Sequence, residues 1–148
     1  MDARTLDAVL AIVHHLLVFP LVAVLIAELA LVHGTIDAPR LRQLGRLDAA
    51  YGALAGGVLV AGLLRATFGA KGWSYYAGQP FFWAKLGLFM LIGMLSIPPT
   101  LRLIHLRKGG SLPDAAALAS LRGWMRTQAA LLVWMPVLAV LMARSFGG

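Results

Sequence analysis

An all-α integral membrane protein, a four-helix bundle, is the fold class this chain predicts, and three observations predict it. Of its 148 residues, 60% are hydrophobic and 13% charged, and mean hydropathy is +0.82; a water-soluble domain carries about a quarter of its residues charged. The apolar residues fall into four long runs. Those runs lack the alternation of a lipid-facing strand, and because lipid offers no partner to a free backbone group, helices are the spanning element that fits them. The length suits a single four-span transmembrane domain over residues 1–148.

The first run, about Ala8 to Val32, exceeds a secretory h-region and is preceded by Asp2, Arg4 and Asp7, so it reads as a retained transmembrane helix. Gly34 marks its end. Thr35 to Asp48, with Pro39, Arg40, Arg42 and Arg46, reads as a linker or short surface helix. The second span, about Ala49 to Phe68, carries Gly52 and Gly56 in a GxxxG spacing, then Gly57 and Gly62, small residues that permit close helix approach or make room for a planar ligand. Gly69 to Gly78, with Trp73, Tyr75 and Tyr76, reads as an aromatic loop at an interface. Pro80 opens a third span, about Phe81 to Arg102, which Pro98 and Pro99 are expected to kink or end. After the basic turn Arg107-Lys108-Gly109-Gly110, Ser111 through Asp114 offers a helix start. The fourth span runs from about Ala115 to Ser145 and is expected to bend at Pro136.

The net charge of +7 is carried by loops and helix ends, which in such a protein reports orientation and contact with anionic lipid, and nucleic acid is not the expected partner. Arg40, Arg42, Arg46, Arg102, Arg107, Lys108 and Arg122 crowd the first and third loops. The positive-inside rule therefore places those loops in the cytoplasm of a bacterial inner membrane, with both termini periplasmic. The absence of cysteine excludes disulfides, thiolate metal sites and iron–sulfur ligation.

Ionisable groups inside a membrane are expensive, so the histidine doublet His14-His15 in the first span is the leading candidate for a task. At ~1.5 Å of rise per residue, His14, Lys85 of span three and Arg65 of span two reach similar depth in the outer half, with Met90 and Met135 level or slightly deeper. Asp7, His14 and Glu28 drift only ~20° per heptad and share one stripe, expected to face the bundle, while His15 points elsewhere. A neutral imidazole suits haem as axial ligand, and Arg65 with Lys85 could pair with propionates. The alternative for His14 is a structural histidine bonded to a carbonyl or carboxylate between helices, and for Arg65 and Lys85 it is snorkelling toward the interface. Glu28 and Asp48 form an inner polar set that could pair with Arg122 or Arg126 or serve a proton path. His33 and His105 read as solvated helix-end residues.

On Gly72-Trp73 through Phe82-Trp83-Ala84-Lys85-Leu86, with His14-His15 upstream and Ser96-Ile97-Pro98-Pro99-Thr100 downstream, the chain resembles a family of four-span bacterial membrane proteins classed as a domain of unknown function. That resemblance spans nearly the whole chain and names no activity. More distantly, the first-span histidine, second-span arginine and Trp-x-Lys of span three resemble HemJ-type protoporphyrinogen oxidases and CopD-type copper proteins. The HemJ resemblance implies haem b on His14 or His15, with Arg65 and Lys85 holding propionates or an anionic substrate. Trp83 and Pro98 stand where further histidines would complete that pattern, which leaves the second axial ligand unassigned and the haem either five-coordinate or methionine-assisted, with Met90 a candidate. The expectation is a haem-binding membrane oxidoreductase in electron transfer or porphyrin oxidation, with quinone as electron partner and homo-oligomers formed in the bilayer. The alternative is a non-enzymatic module that binds lipid or a partner protein through the aromatic loop and glycine face.

Overall fold

Aspartates start three of the long helices. In the computed structural model, which describes residues 2–144, Asp2 caps α1 (Ala3–His33) by accepting from Thr5 N at 2.7 Å. Asp37 caps α2 (Ala38–Phe68) through Arg40 N at 2.8 Å, with Pro39 in the first turn, and Asp114 caps α5 (Ala115–Leu132) through Ala117 N at 2.7 Å. Each carboxylate satisfies a backbone donor that the first turn leaves free. α3 (Gly72–Ala77) is a single short helix, α4 (Pro80–Gly109) begins on a proline, and α6 (Trp134–Ala143) continues the direction of the chain after α5. Gly110, at φ 63°, ends α4 in the left-handed conformation that glycine adopts without cost. Four stretches are long and apolar enough to cross a membrane: α1, α2, α4, and α5 with α6 as one span.

Three boundaries differ from the sequence reading. α2 starts at Ala38 rather than near Ala49, because the polar stretch hides a helical stripe: Leu41 and Leu44 are buried against Val32, Leu103, Leu121 and Met125. The segment taken for an aromatic loop contains α3. α4 passes through Pro98 and Pro99 to Gly109. Pro99 has no N–H to offer Leu95 O, and Gln128 of α5, 2% exposed, donates Nε2 to that carbonyl at 3.4 Å. A neighbouring side chain thus satisfies the group the proline leaves free, which is how prolines are tolerated inside spanning helices. Pro136 has no N–H for Leu132 O, and the regular bonding between α5 and α6 lapses at Val133, whose backbone stays helical at φ −59°, ψ −28°. The expected end of that span at Ser145 lies outside the described residues.

α1 packs along α2, α4 lies beside α2, and α5 closes the ring between α4 and α1. α6 then leaves the ring: it packs on α4 and on α5 and makes no contact with α1. The core has three tiers. Val32, Leu44, Leu103 and Leu121 fill the end that carries the basic loops; Leu21, Leu25, Tyr51 and Val58 fill the middle; Ala66, Tyr76 and Phe82 fill the end that carries both termini.

Candidate functional site

Helical phase separates the doublet as the stripe implies. His14 is half-buried between α1 and α2, where its Nδ1–H donates to Val58 O at 3.2 Å, while exposed His15 donates Nδ1–H back to Ala11 O of its own helix at 2.7 Å. The two rings meet edge-on, with centroids 5.8 Å apart. Gly62 makes the place for His14: a Cβ there would stand 3.3 Å from His14 Cε1. Because a carbonyl only accepts, the bond to Val58 places the proton on Nδ1 and leaves the Nε2 lone pair uncommitted.

Asp7, one heptad before His14, completes the stripe at the termini end. It accepts from Arg65 Nε at 3.2 Å, and the two side chains are 27% and 34% exposed. Asp7 also lies so close to Gly69 that a side chain there would collide with its Oδ1. Lys85 is half-buried on α4, near enough to act electrostatically on both His14 and Arg65. The two cations are therefore unequal. Arg65 is already paired to a carboxylate, whereas the Arg65–Asp7 contact is the one ion pair among the described residues, so Lys85 has no acidic partner there.

Met90 does not join this group. Buried Phe82 and Ile92 define the inward face of α4, and Met90, two residues before Ile92, turns to the opposite side and is 47% exposed. Of the predicted site residues, His14 bonds Val58 O with His15 edge-on beside it, Arg65 bonds Asp7, Lys85 lies within electrostatic reach of His14 and Arg65, and Met90 is 47% exposed. Asp7 is the participant that sequence reasoning left out, although its place on the His14 stripe was the signal for it.

Above this group, α3 folds its aromatic residues onto the start of α4. Trp73 meets Phe82 and Trp83 edge-on at 6.0 and 6.1 Å, Tyr76 lies 5.6 Å from Phe82, and Trp83 Nε1 donates to Ala77 O at 3.0 Å. These contacts are worth about 0.5–1.5 kcal/mol per pair beyond burial. They hold the loop down over the end of the helix that carries Lys85.

The inner polar set differs from its expected pairing. Glu28 is 2% exposed and its Oε1 has no partner; Asp48 accepts from Thr100 Oγ1 at 2.8 Å. The arginines serve the end of α1 instead: Arg122 Nε donates to Val32 O at 2.8 Å, and Arg126 donates to His33 Nε2 at 2.6 Å. Cations at a helix C-terminus answer its free carbonyls and the negative end of its dipole. His33 is therefore bonded rather than merely solvated. Among the described residues, no group of three or more His, Cys, Asp or Glu could hold a metal ion.

Four apolar helices in a ring, with ionisable residues turned inward, define a four-span, all-α membrane protein in contact with the lipid bilayer. The chain belongs to the family described as Predicted membrane protein (DUF2214), whose model matches residues 6–147. No curated protein and no solved structure matches it. These comparisons show no likeness to HemJ-type or CopD-type proteins.

Proposed function

We propose that the site around His14 binds haem b and that the protein is a membrane oxidoreductase exchanging electrons with a quinone or oxidising a porphyrin. The observation that carries this is the bond from His14 Nδ1–H to Val58 O. It orients the ring and leaves the Nε2 lone pair for a ligand, as a hydrogen bond on the other ring nitrogen does for metal-ligating histidines. A bare metal ion would need about three or four protein donors, and the described residues hold no group of three. A porphyrin supplies its own equatorial nitrogens and asks the protein for one imidazole.

The surrounding residues fit such a ligand. Lys85, without a carboxylate, is free to meet a propionate or another anionic group, and Asp7 orients Arg65 while sharing its charge. α6 packs on α4 and α5 and makes no contact with α1, so that helix does not cover α1. When bound, haem would supply one-electron chemistry at its iron. The chain's own part is to hold it with His14, to fix that ring through Val58, and to place a positive charge beside it from Lys85.

An absorption spectrum of detergent-purified protein, expressed with ample haem, tests the reading. A Soret band is expected that is lost in His14→Ala and kept in His15→Ala. A colourless wild-type protein, or a band indifferent to His14→Ala, overturns it.

A further inference from the structure

Independently of the haem reading, we propose that the groove between α2 and α4 at the basic end of the bundle binds one anionic phospholipid. Its headgroup would rest on Arg42, Arg107 and Lys108, and an acyl chain would run along Gly52, Ile97 and Leu101.

Two cavities form the groove. The first, of about 530 Å³, is lined by Arg42, Arg107, Lys108 and Ser111 together with apolar Leu41, Ile104 and Leu112. The second, of about 370 Å³, continues toward the middle of the membrane between α2 and α4. Ile104 and Arg107 line both, so the two adjoin where cationic lining gives way to largely apolar lining.

Local sequence explains the shape. Gly45 has no Cβ, and one placed there would collide with the Arg107 side chain, so Arg107 can lie across α2 at the junction. Further in, Gly52 has no atom within 4 Å of where a Cβ would stand, which keeps the wall low where a chain would lie. Gly110 turns the chain sharply after α4 and brings Ser111 and Leu112 into the lining of the basic cavity.

Charge selects the occupant. No carboxylate lines the first cavity, and Asp48, the one that lines the second, already accepts from Thr100. A zwitterionic lipid would bring its own cation against Arg42, Arg107 and Lys108 along with its phosphate. A free phosphate would answer them and leave the apolar half of the groove unused, whereas an acidic glycerophospholipid meets both halves. Basic residues near a membrane surface draw anionic headgroups at about 1 kcal/mol each.

Native mass spectrometry of the full chain, released from mixed phosphatidylglycerol and phosphatidylcholine micelles, tests the proposal. The wild-type protein is expected to retain one phosphatidylglycerol in preference to phosphatidylcholine. In the triple variant Arg42→Gln, Arg107→Gln, Lys108→Gln, phosphatidylglycerol affinity should fall on the order of a hundredfold. Neutralising Arg4 and Lys71 at the other end should leave it unchanged. Equal retention of the two lipids by wild type overturns the proposal. So does displacement of phosphatidylglycerol by millimolar inorganic phosphate, which would mark a phosphate site instead. Both outcomes are read on the wild-type protein and do not depend on the variant's folding.

Discussion

His14 and His15 are adjacent in sequence, yet the fold gives them different surroundings, because about 100° of helical phase sends one ring into the α1–α2 seam and the other to the surface. The same logic governs the buried acids. Asp48 has a hydroxyl donor in Thr100, so its removal leaves an acceptor without a partner inside the bundle. Thr100→Ala is expected to cost about 1–3 kcal/mol in a reversible unfolding assay. Glu28 has no partner to lose at Oε1. A buried carboxyl oxygen without a partner contributes desolvation cost rather than cohesion, so Glu28→Met should not lower stability in the same assay. A drop in stability for Glu28→Met would mean that this carboxyl binds a partner inside the protein.

At the scale of elements, prolines inside helices have different consequences. Pro98 and Pro99 leave α4 continuous, with the carbonyl facing Pro99 taken up by Gln128. Pro136 leaves Leu132 O without its helical donor just where the span passes from α5 into α6, which packs on α4. Pro136→Ala restores a donor for Leu132 O and should straighten the fourth span, swinging α6 toward α1. The chain has no cysteine, so spin labels on cysteines introduced at Ile12 and Val140 report that distance without background. It should shorten in Pro136→Ala, and an unchanged distance would show that packing on α4 alone directs α6.

For the whole molecule, the glycines of α2 divide by side. Gly57 and Gly62 face α1 and accommodate Leu17 and His14, with contacts that a Cβ would tighten to 3.3 Å. Gly52 and Gly56, the GxxxG pair, have nothing within 4 Å and are exposed. That spacing therefore makes no close approach within the chain. Gly56→Leu should leave thermal stability in dilute detergent undiminished, while Gly57→Leu, forced against Leu17, should lower it by about 1–3 kcal/mol. Equal losses from both would place Gly56 in an interface with a second copy.

Hydropathy alone settles the class, since four apolar runs in a chain of this length have few other fates in a bilayer. The stripe through Asp7, His14 and Glu28 was likewise legible, because helical phase is a local property. The sequence reading misplaced the start of α2 because Leu41 and Leu44 sit among arginines that mask their spacing, and it placed Met90 by depth without testing its phase. Tertiary structure decided the partners: Asp7 for Arg65, Val58 O for His14, Gln128 for the carbonyl that Pro99 leaves free. Each of these joins residues far apart in the chain, and which face of one helix meets which face of another depends on side-chain fit along the entire seam. Periodicity determines which face of a helix turns inward, and only the packed bundle determines what that face meets.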